Sequence, residues 1–220
     1  MAVKSRAVLS WCLFDFANSS YSAVIAAVIF PVYFSHVIVG NTSGQGDLWW
    51  GKAISCSRAI VALSSPFIGG IADRTGLKKH LLVLYTYLCI TATASLALLQ
   101  PGMILGAFVL VVLANTGLEG GIVFYNSFLA DITDRRHQGR VSAWGFGAGY
   151  LGSILALFVA LALLRQSLTN TIWPATALFF ALFSAPAILY LPRSTGQSVP
   201  LTEAAIGGFR HTVAMIRTVL

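Results

Sequence analysis

The chain divides into six long apolar stretches that are joined by short polar segments. A helix needs about 20 consecutive, mostly apolar residues to cross the hydrocarbon core of a bilayer. Only helices and closed barrels satisfy their backbone hydrogen bonds in lipid. These lengths therefore predict an all-α membrane protein with six transmembrane helices. The spans are predicted at about residues 11–37, 49–72, 81–99, 103–130, 141–164 and 172–191.

The composition favours a lipid environment over a soluble one. Hydrophobic residues make up 57% of the chain and charged residues only 10%, against about 25% charged residues in ordinary soluble domains. The formal net charge of +7 is compatible with nucleic-acid binding, but basic residues of a membrane protein more often set its orientation. We therefore expect the lipid bilayer as a partner and no nucleic acid.

The lysines and arginines fall almost entirely on one side of the predicted bundle. Eleven of the 14 lie in the N-terminus, in the loops after spans 2 and 4, and in the tail. The opposite side carries only Arg165, and Lys52 and Arg58 lie inside span 2. Short basic loops stay in the cytoplasm. We therefore expect both termini in the cytoplasm, at the cell (inner) membrane, or at the vacuolar membrane in a eukaryote.

The end of the chain differs from the spans. After the six-helix bundle of residues 1–191, the segment 192–220 begins with polar residues. Four apolar residues then recur at helical spacing: Phe209, Val213, Ile216 and Leu220. This pattern predicts a cytoplasmic linker that contains an amphipathic helix.

Polar residues inside the spans are the candidates for contacts with a substrate or a cavity, because such groups are costly in hydrocarbon unless they face protein or water. The candidates lie in spans 1, 2 and 4, and those of spans 1 and 4 each share one helix face. They are Asp15, Asn18, Ser22, Arg58, Asn115, Glu119 and Asn126. Spans 3 and 6 contain no charged residue, so we expect them to be peripheral helices around spans 1, 2 and 4.

Two of these candidates, Arg58 and Glu119, are expected at similar depth, since each lies near the middle of its span. An unpaired arginine is hard to tolerate at the middle of a membrane. We therefore expect an intramembrane ion pair that faces a polar cavity. An equally open alternative is a buried pair that only fixes how the two helices pack.

Span 5 contains a glycine pattern that has two interpretations. Gly147, Gly149 and Gly152 match GxGxxG, the dinucleotide-binding fingerprint. No strand precedes them and no acidic residue follows at the required distance, so the structural context of that fingerprint is missing. Together with Gly145, these glycines are expected to permit close helix packing, as small residues do in membranes.

No catalytic or metal-binding pattern stands out in the sequence. The four histidines are dispersed and lack the spacing of metal ligands. Cys12, Cys56 and Cys89 sit singly in apolar stretches, where packing is the expected role. No Ser/His/Asp set or phosphate-binding loop is present, so we expect no enzyme activity, no cofactor and no metal.

The loop after span 2 carries the most specific motif of the chain. Its glycine, acidic and basic positions are Gly69, Asp73, Arg74, Gly76, Lys78 and Lys79. The pattern resembles the signature loop between the second and third helices of major facilitator superfamily transporters. Leu77 departs from it, since the family usually has a basic residue there. The resemblance implies that this loop acts as a conformational switch.

Three further stretches indicate one branch of this superfamily. They are WCLFDFANSSYS through FPVYF in span 1, YNSFLADIT at the end of span 4, and GRVSAWGFGAGYLG at the start of span 5. Together they resemble the vacuolar-effluxer-like (autophagy-related permease) branch of the superfamily. The branch implies secondary active transport of a small-molecule substrate by alternating access, with amino-acid efflux proposed for its fungal members.

The chain departs from this family in length. Family members have twelve spans in two related halves, with the binding site between the halves. The resemblance therefore implies that this chain supplies the N-terminal six-helix half and that a second six-helix half is its partner. Two other classes stay open, a non-transporting membrane scaffold or sensor and a nonfunctional transporter fragment.

Overall fold

The structure is a computed structural model that describes residues 5–40 and 43–193, apart from the side chain of Asp73. This part of the chain forms six long helices, labelled α1 to α6, and no strand. In chain order they are Ser5–Val39, Gln45–Thr75, Lys78–Leu98, Ile104–Ser127, Gln138–Arg165 and Thr169–Tyr190. A short helix, Leu129–Ile132, follows α4. All six long helices are long and apolar enough to cross a membrane.

The all-α fold with six membrane-length helices, predicted from the apolar stretches, is confirmed. The largest difference in bounds is at the first helix, which was predicted from about residue 11 and begins at Ser5. The predicted linker and its amphipathic helix lie outside the described residues, except for Pro192 and Arg193.

The first helix is not uniform along its length. It changes from α-helix to π-helix at Ser22–Val28 and again at Phe34–Val39. Pro31 lies between these segments and has no backbone N–H to donate. The N–H of Ile29 bonds to the carbonyl oxygen of Val24, five residues earlier. The wider turns thus keep the backbone bonded next to a proline, and such segments often occur near functional sites.

The helices form two groups that contact each other. α1 packs against α5 and α6, α4 packs against α3 and α2, and α3 also contacts α6. Tyr125 of α4 stacks on Trp11 and Phe14 of α1, with ring centroids 4.4 and 5.0 Å apart. Trp11 also donates its Nε1–H to the Tyr125 carbonyl oxygen at 3.0 Å. These aromatic contacts join the two groups.

The contact between α1 and α5 runs along a face of glycines. Gly145, Gly149 and Gly152 are buried on this face. A Cβ atom added to Gly149 would lie 2.7 Å from the Ser19 hydroxyl oxygen. A Cβ atom added to Gly152 would overlap the carbonyl oxygen of Phe16. The backbones of α1 and α5 therefore approach so closely that a side chain does not fit between them.

Gly147, the fourth glycine predicted to support close packing, lies away from this face. A Cβ atom there would meet nothing within 4 Å. The reason is helical geometry: Gly145, Gly149 and Gly152 follow at intervals of four and three residues, whereas Gly147 is about 200° around the helix from Gly145. In the part of the chain that the structure describes, the packing interpretation does not extend to Gly147.

The expectation that α3 and α6 form the periphery around α1, α2 and α4 stays a prediction, and burial within the described residues follows a different order. In the apolar 18-residue segment of α2, 6% of the residues are buried. The corresponding segments of α3 and α6 are 33% and 39% buried. α3 and α6 pack against each other as well as against α4 and α1, whereas α2 packs mainly against α4. Among the described helices, α2 is therefore the least enclosed, although it contains Lys52 and Arg58.

Candidate functional site

Arg58 of α2 and Glu119 of α4 lie side by side within membrane-length helices. The Nε atom of Arg58 is 3.9 Å from Oε1 of Glu119, which is a charge contact and too long for a hydrogen bond. The Arg58 side chain is 69% exposed and that of Glu119 is 35% exposed. A guanidinium has five N–H donors and a carboxylate accepts several hydrogen bonds. Both groups can therefore bind additional polar partners.

Buried hydrogen bonds hold this pair of helices in place. Asn115 lies one turn before Glu119, is buried, and donates its Nδ2–H to Oγ of Ser57 at 2.7 Å. Ser57 in turn donates to the carbonyl oxygen of Ile54 at 2.8 Å. Ser57 was not among the predicted residues, although its place beside an intramembrane arginine was a usable signal. This chain of bonds positions α4 against α2 next to the ion pair.

The candidates on α1 form a separate group. Asn18 is buried and donates its Nδ2–H to Oδ1 of Asp15 at 3.4 Å. Ser22 donates its hydroxyl to the Asn18 carbonyl oxygen at 3.5 Å. The carboxyl carbon of Asp15 lies 3.6 Å from the position that a Cβ atom would take at Gly149. The three polar residues share one face of α1, and Asp15 lies beside α5.

Asn126, the last of the predicted cavity residues, is exposed near the end of α4. Asn115 and Asn126 thus have different surroundings, although both lie on the face of α4 that carries Glu119. The structure brings together Arg58, Glu119 and Asn115 and, separately, Asp15, Asn18 and Ser22.

The two lysines of the motif loop are bonded to other parts of the protein. Lys78 places its Nζ atom 3.0 Å from Oδ2 of Asp131, just after α4. Lys79 donates to the carbonyl oxygen of Leu191 at 2.7 Å and approaches that of Leu189 at 3.4 Å. The last carbonyl groups of a helix lack partners within the helix, so Lys79 satisfies those of α6. The start of α3 is thereby tied to the ends of α4 and α6. We call this end of the bundle the motif end.

The glycines of the motif have different roles in the structure. Gly76 has φ = +72°, which favours glycine, and its N–H bonds to the Ala72 carbonyl oxygen at 3.1 Å. It therefore ends α2 and turns the chain towards α3. Gly69 lies inside α2, where an added Cβ atom would meet nothing within 4 Å. Arg74 is exposed, and the side chain of Asp73 lies outside the described residues.

Among the described residues, no three His, Cys, Asp or Glu side chains are grouped so that they could hold a metal ion. The three cysteines are free thiols, of which Cys89 is buried and Cys12 and Cys56 are partly buried. The polar groups that remain for function are the ion pair, its hydrogen-bonded neighbours and the motif loop. Taken with six membrane-length helices, they indicate a multi-pass membrane protein with ionisable groups within its membrane-length helices.

Comparison with solved structures shows which fold this is. The chain is similar to the xylose transporter XylE from E. coli in its inward-open conformation, with a TM-score of 0.54 and 14% sequence identity. The match covers 96% of this chain and 55% of XylE. At this level of identity the likeness shows the fold, which is that of a major facilitator transporter.

Sequence comparisons point to the same group. A family model described as "Vacuole effluxer Atg22 like" matches residues 50–139. A Bacillus subtilis (strain 168) protein described as the uncharacterized MFS-type transporter YxiO is 31% identical over 195 residues, which are 83% of this chain and 46% of that protein. An uncharacterized Aquifex aeolicus (strain VF5) protein is 27% identical over 186 residues, 83% of this chain and 45% of that protein.

The chain resembles major facilitator transporters and, over residues 50–139, the Atg22-like vacuole effluxers. The resemblance that the motifs of the loop and of spans 1, 4 and 5 indicated is thus confirmed. The chain spans about half the length of the curated relatives it matches.

Proposed function

We propose that this chain is the N-terminal half of a secondary active transporter that moves a small polar solute by alternating access. The observation that carries the proposal is the contact between Arg58 and Glu119, because both lie within membrane-length helices and both remain partly open. Ionisable groups at membrane depth are costly and usually mark the path of a substrate or an ion. The similarity to an MFS-type transporter and to the fold of XylE supports the same conclusion.

A second six-helix half is the proposed partner. In the apolar 18-residue segment of α2, 6% of the residues are buried, against 61% in that of α4. The open surface of α2 includes Arg58, which is hard to place against lipid. A second half packed there would enclose the arginine in a polar cavity. It is supplied either by a further segment of the same polypeptide or by another subunit.

An amino acid is the proposed substrate. Its carboxylate and ammonium groups are separated by one carbon atom, and Arg58 and Glu119 offer the complementary charges 3.9 Å apart. A guanidinium can bind a carboxylate through two parallel hydrogen bonds. A bound amino acid would place its carboxylate beside Arg58 and its ammonium group beside Glu119. Two short charge contacts would then replace the one long contact between these side chains. The description of the matched family as a vacuole effluxer supports amino-acid efflux.

We propose that both termini lie in the cytoplasm of the cell (inner) membrane, or of the vacuolar membrane in a eukaryote. The support is the distribution of lysines and arginines, since Arg165 is the one cation in the loops on the opposite side. We also propose transport without a covalent step, because the described residues present charge pairs and hydrogen bonds rather than a catalytic set.

The function is tested with the chain isolated from its native membrane together with any six-helix partner. After reconstitution into liposomes, we expect counterflow of a labelled amino acid well above that of empty liposomes when both halves are present. The chain purified alone is the matched control and should not support counterflow. A stable chain that associates with no six-helix half and moves no solute would favour the scaffold or sensor. A chain that is rapidly degraded would indicate a nonfunctional fragment.

The motif loop is proposed to control the balance between inward-open and outward-open states. Lys78 and Lys79 fix the loop to this half, so a contact from Asp73 to the second half would be made and broken as the halves rock. Asp73→Asn is expected to shift this balance, as measured by labelling single cysteines on each face of the transporter. Asp47→Asn, at the other end of α2, is the control. Unchanged accessibility on both faces would refute the switch role of Asp73.

A further inference from the structure

Two basic loops at the motif end of the bundle use their charges differently. After α2, the two lysines that open α3, Lys78 and Lys79, are bonded to protein oxygen atoms. After α4, the three arginines of the loop and of the first turn of α5 are all exposed, and they are Arg135, Arg136 and Arg140. The two loops look alike in sequence, with acids next to bases. The structure directs the charges of the first into the protein and leaves those of the second on the surface.

The second of these segments, residues 133–140, carries more positive than negative charge. Asp131, the carboxylate that precedes the loop, is already paired with Lys78 at 3.0 Å. Residues 133–140 contain the three arginines against one carboxylate, Asp134. The loop therefore presents a net positive surface directly beside the start of α5.

An aromatic side chain fixes the depth of this loop relative to the bilayer. The guanidinium carbon of Arg140 lies 4.8 Å from the centre of the Trp144 ring, within the range of a cation–π contact. Trp144 is 51% exposed, and exposed tryptophans settle at the boundary between lipid and water. We therefore expect Arg140 at the level of the lipid headgroups, with Arg135 and Arg136 in the adjacent loop.

We propose that residues 133–140 together with Trp144 form a binding surface for the headgroups of anionic phospholipids. The phosphate group is the main anion at this depth, and a guanidinium binds it through two parallel hydrogen bonds. Basic residues next to a membrane span attract anionic lipids. A role in orientation needs only the charge of the loop, whereas this binding surface also needs exposed arginines beside an interfacial tryptophan.

The test measures lipid binding by the purified chain in mild detergent with native mass spectrometry. The probes are phosphatidylglycerol and phosphatidylcholine with the same acyl chains. We expect the wild-type chain to retain more phosphatidylglycerol. Arg140→Gln should lower that retention about fivefold, the effect of one arginine near an anionic surface, and the change of all three arginines to glutamine should lower it further. Retention of phosphatidylcholine should not change.

Arg165→Gln is the matched control, since Arg165 is exposed at the opposite end of the same helix. An equal loss with Arg165→Gln would show an effect of net charge and overturn the proposal. Equal retention of both lipids by the wild type would do the same. If inorganic phosphate displaces phosphatidylglycerol at equal concentration, the loop binds a soluble anion instead. Unfolding midpoints in phosphatidylcholine check that the variants fold. If the triple variant does not fold, the comparison of phosphatidylglycerol retention between Arg140→Gln and Arg165→Gln decides.

Discussion

Gly152→Ala is expected to disrupt the packing of α1 on α5 and to lower the free energy of unfolding by about 3 kcal/mol, the upper part of the range for overpacked sites. The added Cβ atom would overlap the carbonyl oxygen of Phe16. A backbone oxygen in a helix cannot rotate aside as a flexible side chain can, so the two helices must separate. The midpoint of thermal unfolding in detergent and the yield of monodisperse protein measure the effect.

Gly147→Ala is the matched control, because it makes the same chemical change in the same helix where a Cβ atom meets nothing within 4 Å. Its effect should stay within about 1 kcal/mol, the difference in helix propensity between glycine and alanine. Similar unfolding midpoints for the two variants would show that α1 and α5 are not in close contact at Gly152.

The architecture could be read from the sequence because the bilayer selects helices by length and hydropathy. The six apolar stretches became six membrane-length helices, and the motif loop indicated the resemblance to an MFS-type transporter. Helix ends were less predictable, as the first helix shows by beginning at Ser5 rather than near residue 11. Polar and charged residues such as Arg6 can be helical beyond the apolar core, and hydropathy does not detect them.

The contacts of the polar side chains were only partly predictable. Similar depth was enough to anticipate that Arg58 and Glu119 meet, since each needed a partner. Nothing local indicates that Lys79 bonds to Leu191, which is 112 residues away in sequence. Such pairs depend on how the ends of different helices come together. The same limit applies to the two basic loops, whose different surroundings appear only in the folded bundle.

Burial could not be inferred from charge content alone. The apolar spans of α3 and α6 contain no charged residue and are more buried than that of α2, which contains Lys52 and Arg58. Charged residues of a helix indicate that it avoids lipid, and they do not say which neighbour encloses it. The open surface of α2 is therefore consistent with its charges only if a further partner covers it, which is the reason for proposing a second half.

Glu119→Gln is expected to lower the initial rate of counterflow by about tenfold or more, in the range for removing one partner of a charge pair. The glutamine side chain is similar in size but carries no charge to attract an ammonium group. Because the proposed cavity around Arg58 is polar, Arg58 keeps polar partners when Glu119 is replaced, so the unfolding midpoint and the expression level should change little. Glu119→Asp keeps the charge on a shorter side chain and should retain part of the rate.

The double variant Arg58→Gln/Glu119→Gln separates the two roles that the pair can have. If the contact only positions α2 against α4, removing both charges leaves no unpaired group, and transport should recover from the level of Glu119→Gln. If the two charges bind the carboxylate and ammonium groups of the solute, the double variant loses both contacts and transport should stay at or below that level. We expect the second result, since a 3.9 Å contact between partly exposed groups adds little to the packing that the buried bond from Asn115 to Ser57 already provides. Recovery of transport in a normally folded double variant would assign the pair to helix packing and would remove the charge pair from the proposed substrate site.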